Sequence, residues 1–352
     1  MKINFVLPFY TKVPGGGTKI MYEYANRLSI LGHNVVIYHL VRCPYFNYKR
    51  YYIVQKLINL FIYKNKPIIN WFIFDKKVQL KFLNRLNNEI RDADATVVTW
   101  WSLVEPLSKL KDSKGKKINI IQGYEDWTGH EDLLKKSYQF KNVVKIGISP
   151  FVIEKVKEIN DNIIYIPNSV DSDKFFQTKK ITDREKLSFC MMYSEEKTKA
   201  SHIGIKAFIN LKKDFPNLIL TMFGTLPRPI YLPSWIKYIQ NPENLNLHYN
   251  DHRYFVTNSI LEGWGLPAHE SMCCGNILIC SDIKGHKQFY DKFDGVFKYK
   301  CGDCEDLINL IKHIINISDD CLINYSSINI TIKEVYSWSK TIPKFLSIFN
   351  EK

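Results

Sequence analysis

Short apolar runs alternate along this 352-residue chain with stretches in which apolar residues recur every three to four positions. Ile3-Asn-Phe-Val-Leu7 reads as a strand, and Ile20, Met21, Tyr24, Ala25, Leu28 and Leu31 share one face of a following helix. Gly32 ends that helix and His33 to His39 reads as the next strand. The opening of the chain therefore predicts a βαβ unit with Gly15-Gly-Gly17 at its first strand-to-helix turn. The pattern returns further on. Strands end at Val97-Val-Thr-Trp-Trp101 and at Ile120-Ile-Gln122, Leu187 to Met192 precedes a helix carrying Ile203, Ile205, Ala207, Phe208 and Leu211, and Tyr254 to Asn258 reads as another strand. Val/Ile-rich strands alternating with helices predict parallel sheets covered on both faces. A chain of this length has room for two domains, each with its own core, and it shows no internal repeat.

Candidate chemistry concentrates in Ser259-Ile-Leu-Glu262-Gly-Trp-Gly265-Leu-Pro267-Ala-His-Glu270-Ser-Met-Cys-Cys-Gly275. Gly263 and Gly265 permit a turn that a side chain would obstruct, Pro267 suits the start of a helix, and Gly275 closes it. Free amides at that helix start suit an anion. Glu270 is expected in the first helical turn, placed to accept hydroxyl hydrogen bonds, with Glu262 just before the turn. The layout suits a nucleotide diphosphate sugar, with amides for the diphosphate, one carboxylate for ribose hydroxyls and the other for the sugar. The glycines at 15 to 17 lack the spacing of a dinucleotide fingerprint and by themselves read equally well as a surface loop.

The segment from Glu262 to Gly275 resembles the donor-site signature of retaining glycosyltransferases of the GT-B fold, specifically glycosyltransferase family 4. Three other stretches are similar to that family. In such enzymes the N-terminal glycine loop faces the donor diphosphate across the interdomain cleft, which matches Gly16 and Gly17. Ile166-Pro-Asn168-Ser-Val170-Asp171-Ser-Asp173-Lys-Phe175 is similar to the segment that leads from one domain to the other. Lys199 stands where the family has a lysine on the donor phosphates, a point charge against the leaving diphosphate. The resemblance implies an α/β GT-B architecture of two Rossmann-like domains facing a cleft, with a C-terminal helix crossing back to the first. The domains are expected at 1–166, 167–331 and 332–352, the last being the crossover helix that includes Trp338. The resemblance further implies transfer of a sugar, with retention and without a metal, from a nucleotide diphosphate sugar to a surface-glycan or lipid-linked acceptor. Donor contacts are expected from Gly16, Gly17, Gly263, Trp264, Gly265, Leu266 and Glu270, and catalytic roles from Glu262 and Lys199, with Glu125 and Asp126 as candidates.

The sequence departs from the family pattern in two places. The arginine usual a few residues before Lys199 is absent from Tyr193-Ser-Glu-Glu-Lys197, where Lys197 is the nearest substitute. The histidine usual at the end of an N-domain strand is missing both from Val97 to Trp101 and from Ile120-Ile-Gln122-Gly-Tyr-Glu125-Asp126. Either Glu125, Asp126 or His130 approaches the reaction centre, or catalysis depends on donor orientation and phosphate stabilisation. A GT-B sugar epimerase is one alternative, and an inactive GT-B subunit that binds a partner enzyme is another, the latter supported by these departures.

Composition bears on partners. Lys and Arg outnumber Asp and Glu by 49 to 35, a formal charge of +14, which suits nucleic acid or an anionic membrane surface. No RNP strand or zinc finger is visible, which argues against nucleic acid. Between Arg42 and Lys66 basic residues interleave with aromatics. There Val54, Leu57, Ile58 and Phe61 give one apolar face among Lys49, Arg50, Lys56, Lys64 and Lys66, as a helix in the headgroup layer requires. No stretch is apolar for long enough to span a bilayer. The expected location is cytoplasmic, peripheral at the inner face of the cell membrane. The eight cysteines follow a first strand that no secretory signal precedes, which suits reduced thiols. Cys301-Gly-Asp-Cys304 lacks a second pair, His248 and His252 lack the glutamate of a zinc helix, and Asp171-Ser-Asp173 lies inside the linker pattern. Neither a metal nor a cofactor is therefore expected, the nucleotide sugar being a substrate.

Overall fold

The computed structural model of the chain describes residues 1–45, 57 and 60–350. It divides into two compact units, the first comprising Met1–Asn168 with Ser339–Lys352 and the second Ser169–Trp338.

Unit 1 is built on a seven-stranded sheet in the order β3-β2-β1-β4-β5-β6-β7. The strands are β1 Lys2–Leu7, β2 Asn34–Leu40, β3 Gln79–Leu83, β4 Ala95–Val98, β5 Lys116–Ile121, β6 Val144–Gly147 and β7 Ile164–Tyr165. Every pairing is parallel, which is why the central strands read as apolar runs rather than alternations: Ile3, Phe5, Val6 and Leu7 are all fully buried. Helix α1, Gly16–Ile30, buries Ile20, Met21, Tyr24, Ala25 and Leu28 as expected, whereas Leu31 falls beyond its end and is exposed. Gly32, at φ +87°, takes the left-handed conformation that stops the helix. The strand order reverses between β1 and β4, the place where open α/β sheets form a crevice at the carboxyl ends of their strands.

Unit 2 repeats the plan with six parallel strands in the order β10-β9-β8-β11-β12-β13. They are β8 Glu185–Met192, β9 Ile219–Gly224, β10 Lys237–Gln240, β11 His252–Thr257, β12 Ile277–Ser281 and β13 Val296–Tyr299. Its core joins Phe189 and Met191 of β8, Tyr254 and Val256 of β11 and Ile277 and Ile279 of β12 to Ile203, Ala207, Phe208 and Leu211 of the helix Ser201–Asp214. The order reverses between β8 and β11.

The C-terminal segment differs from the single helix expected from Ile332. It forms two, Ile328–Val335 and Trp338–Ser347. Tyr336, at φ −119° and ψ 73°, breaks the path because its buried ring packs on Trp264 at 4.9 Å and on His269 at 5.6 Å. From Ser339 onwards the chain counts with unit 1. There the Phe345 ring lies 5.2 Å from that of Tyr24, Lys116 donates a hydrogen bond to the Ile348 carbonyl, and Thr341 donates to the Pro167 carbonyl at 3.2 Å.

Most of the basic stretch from Arg42 to Lys66, including Lys49, Arg50 and Lys56, lies outside the described residues. Among the described residues no helix is long and apolar enough to cross a membrane.

Candidate active site

In unit 2 the loops that follow β8 and β11 meet where the strand order reverses. After β8, the Ser201 hydroxyl accepts from the Ser194 amide and donates to the Ser194 carbonyl, both at 3.0 Å, and so closes the loop that carries Lys199. The Ile260 amide then donates to the Thr198 carbonyl at 2.8 Å, fixing the second loop on the first. The result is an ion pair: Lys199 Nζ lies 2.7 Å from Glu262 Oε1, with side-chain exposures of 22% and 11%. The Ser259 hydroxyl donates to the same oxygen at 2.8 Å. Burial pushes the Glu262 carboxyl up, but the charges of Lys199 and His286 and the two hydrogen bonds outweigh it and hold it below its ordinary value. Lys199, Glu262, Gly265, Pro267 and Asn258 line one small cavity.

The glycine turn is supported from beneath. Gly265 sits at φ +88°, a conformation that favours glycine, and serves as N-cap of the helix Leu266–Cys273 without any side-chain cap. The amides of that first turn thus receive no side-chain cap, an arrangement that suits an anion. A Cβ on Gly285 would come within 2.1 Å of the Glu262 carbonyl, so this glycine lets the next loop pack directly on the Glu262 backbone. The His286 ring is fully buried against Gly265, with Nδ1 3.0 Å from the Ser281 carbonyl, while the Ser281 hydroxyl donates to the Ser259 carbonyl. Buried Arg184 holds the far end of the helix through the Cys274 carbonyl at 2.6 Å and the start of β11 through the His252 carbonyl at 2.9 Å.

Two sequence expectations need correction here. Glu270 is not in the first turn: the helix begins at Leu266, so Glu270 is its fifth residue, is 3% exposed and accepts from the buried Tyr249 hydroxyl at 3.1 Å. The Trp264 ring does not line the cavity. It is buried among His269, Phe289 and Tyr336 and donates from Nε1 to His269 Nδ1 at 3.1 Å, so only its backbone belongs to the turn. Gly263 and Leu266 are partly exposed along that turn.

In unit 1, Gly16 and Gly17 are the first two residues of α1, and Gly15 before them offers no side-chain cap. The side chain beside them is Gln122, at the end of β5: a Cβ on Gly17 would touch its Cγ at 3.6 Å. Gln122 Oε1 accepts from Asn168 Nδ2 at 3.2 Å. Glu125, three residues on, is 6% exposed, and its carboxyl accepts a long hydrogen bond, 3.4 Å, from the Trp101 amide. Burial, opposed by that bond, pushes its pKa up to about 8. A carboxyl that keeps its proton at neutral pH is a hydrogen-bond donor rather than a base. Asp126 is exposed and opens the short turn Asp126–Thr128. His130 packs its ring against Trp101 and Tyr45, at 5.7 Å and 5.5 Å.

The side chains weighed as metal ligands have other partners. The Asp171 carboxylate accepts from the Asp173 amide at 3.2 Å and lies 3.5 Å from Lys174. Both His252 ring nitrogens are engaged, Nδ1 with the His248 carbonyl at 2.6 Å and Nε2 with the Thr221 hydroxyl at 2.8 Å. Among the described residues no group of three or more His, Cys, Asp or Glu is arranged to hold a metal ion.

Sequence reasoning named Lys199, Glu262 and the glycine turn but missed Ser259, Tyr249, His286 and the Gln122–Asn168 pair. Ser259 alone left a local signal, standing three residues before Glu262 in an S-x-x-E spacing.

Residues 171–323 match the family model described as glycosyl transferases group 1. No curated protein matches the chain. Among solved structures, Staphylococcus aureus TarM in a complex containing UDP is similar at TM-score 0.72 and 16% identity, with each chain covered in full. HepE from Anabaena in complex with UDP-glucose is similar at TM-score 0.73 and 11% identity, again over 100% of both chains. Sucrose-phosphate synthase from Thermosynechococcus elongatus reaches TM-score 0.70 at 12% identity, over 100% of this chain and 99% of that one. The fold is that of the GT-B glycosyltransferases: two α/β units, each a parallel sheet of Rossmann type.

Proposed function

We propose that the chain is a retaining, metal-independent glycosyltransferase of family 4 that moves a sugar from a nucleotide diphosphate sugar to a glycan or lipid-linked glycan. The observation that carries this reading is the Lys199–Glu262 pair at the strand-order reversal of unit 2, beside a helix start without a side-chain cap. The glycosyl transferases group 1 match spans both residues, and the related folds of TarM and HepE hold UDP and UDP-glucose in their own structures.

The roles follow from the chemistry of the groups. An ammonium has three donors; Lys199 spends one on Glu262 and directs the others to phosphate oxygens, where positive charge offsets the charge that develops on the leaving diphosphate. The amides after Gly265 are assigned to the same diphosphate. Glu262 Oε1 already receives two hydrogen bonds, which turns the carboxylate and leaves Oε2 to accept from a sugar hydroxyl. Glu270 is assigned to the nucleotide, held in place by Tyr249. In the transfer itself the C1–O bond to the diphosphate breaks, the acceptor oxygen bonds to C1 on the same face, and the acceptor proton passes to the departing phosphate oxygen.

The decisive experiment is a thermal-shift screen with UDP-, GDP-, ADP- and dTDP-sugars, followed by acceptor-dependent product formation with and without EDTA. A nucleotide sugar at about a hundred times its dissociation constant adds roughly 2.7 kcal/mol to stability, so one base stands out if the reading is right. No stabilisation by any of them overturns it, and loss of activity in EDTA restored by Mg²⁺ overturns the metal-independent part. We also assign the protein to the inner face of the cell membrane, on the strength of its +14 charge. Sedimentation with anionic but not neutral vesicles, weakened by salt, is the expected result.

A further inference from the structure

Two facing carboxamides can exchange two hydrogen bonds, and Gln122 and Asn168 make only one. Asn168 Nδ2 donates to Gln122 Oε1 at 3.2 Å, while Gln122 Nε2 and Asn168 Oδ1 are buried with no hydrogen-bond partner among the described residues. Asn168 is 2% exposed. An unpaired donor and an unpaired acceptor, joined by one hydrogen bond and both withdrawn from water, are an uncommon and costly arrangement. The pair stands beside the first turn of α1, since Gln122 Cγ lies against Gly17. We propose that Gln122 and Asn168 together read one hydroxyl group of a sugar substrate, Gln122 Nε2 donating to its oxygen and Asn168 Oδ1 accepting its proton. The inference rests on the transferase reading and adds to it a pair of residues that fix specificity.

The chemistry discriminates between ligands. A phosphate oxygen only accepts, so it would satisfy Gln122 Nε2 but repel Asn168 Oδ1, whereas a hydroxyl gives and takes at once and satisfies both. A site built to hydrogen-bond a hydroxyl also rejects analogues that lack it, because its own groups are then left unpaired. Neither carboxamide titrates, so this contact is independent of pH.

The test uses the full chain. Wild type is first measured with the four nucleotide sugars for binding, for donor hydrolysis without acceptor, and for transfer. Gln122→Glu exchanges the donor for an acceptor, Gln122→Met removes it without adding charge, and Asn168→Asp adds a charge at the acceptor. Each is expected to lower transfer by about 10- to 100-fold, with affinity for the free nucleoside diphosphate changed less than about twofold and with β1 and β5 as protected from hydrogen exchange as in wild type, which shows that unit 1 is folded. A parallel fall in hydrolysis assigns the hydroxyl to the transferred sugar; unchanged hydrolysis assigns it to the acceptor. Wild-type transfer in Gln122→Met, or loss of nucleoside diphosphate affinity in step with transfer, overturns the proposal and leaves the transferase reading standing. Failure of wild type to bind any nucleotide sugar overturns both.

Discussion

Glu262 and Glu270 are the same residue type eight positions apart, yet their surroundings give them different consequences on substitution. Glu262→Gln removes the charge that holds Lys199 while keeping the shape, so turnover should fall by about 10- to 100-fold, the weight of a charged hydrogen bond, with little loss of stability. Glu270→Ala strands the buried Tyr249 hydroxyl and should cost about 1 to 3 kcal/mol in urea unfolding, whereas Glu270→Gln keeps an acceptor for Tyr249 and should mainly weaken nucleotide binding. Equal stability of Glu270→Ala and wild type would remove that account. Glu125 gives a pH signature. Its folded pKa, about 8, lies above an unfolded value of about 4.3, so the folded state keeps a proton that the unfolded chain loses. Its contribution is therefore complete at acid pH and is lost as pH rises from about 4.5 through 8. Glu125→Gln abolishes that slope. Relative to wild type, the variant should gain on the order of a few kcal/mol between about pH 5 and pH 8.5 in urea titrations, and parallel midpoints would show that the buried carboxyl does not hold its proton. Local spacing made Glu262, Lys199 and the glycines legible, but not their partners: Lys199 and Glu262 are 63 residues apart and Gln122 and Asn168 are 46 apart, and no local pattern reports which residues of different elements meet.

At the scale of elements, the apolar runs identified β1, β2, β8 and β11 because both faces of a parallel sheet are buried, and Gly32, Gly265 and Gly275 marked helix ends because each adopts positive φ. Two boundaries escaped. Glu270 falls one residue beyond the first turn because the helix starts at Leu266, before Pro267, and nothing in the sequence says which residue caps it. The C-terminal helix looked continuous because Tyr336 has an ordinary helical spacing, and only the aromatic cluster of Trp264, His269 and Phe293 in which it is buried shows why it breaks. Gly285 illustrates how one element sets another. With a Cβ 2.1 Å from the Glu262 carbonyl, Gly285→Ala must push the two loops apart and carry the Glu262 carboxylate away from Lys199. A displacement of this kind at a positioned group costs about a hundredfold in rate, so steady-state assays should show a large fall in kcat, and Gly32→Ala, where a Cβ meets nothing within 4 Å, should leave kcat unchanged. Wild-type kcat in Gly285→Ala would show that the packing of these loops does not set the position of Glu262.

For the molecule as a whole, the order of the chain makes one unit depend on residues far away in sequence. The chain leaves unit 1 after Asn168, builds unit 2 without interruption, and returns at Ser339. Unit 2 is therefore contiguous, whereas unit 1 is completed only by its last helix, through the Phe345 contact with Tyr24 and the Lys116 hydrogen bond to the Ile348 carbonyl. Phe345 is fully buried and Ile348 is 2% exposed, so removing them uncovers the face of α1 that carries Tyr24 and leaves the Lys116 ammonium without that acceptor. Loss of a buried aromatic costs about 3 to 5 kcal/mol, a large share of the stability of a domain. A chain truncated after Trp338 should accordingly lose hydrogen-exchange protection in β1, β5 and α1 while β8, β11 and β12 stay protected, because the core cluster described for unit 2 ends at Leu322. Nucleotide affinity that depends on Lys199 and Glu270 should survive in the truncated protein. Uniform loss of protection across both sheets would show that the two units unfold as one, and unchanged protection in β1 and β5 would show that unit 1 holds its core without the returning helix.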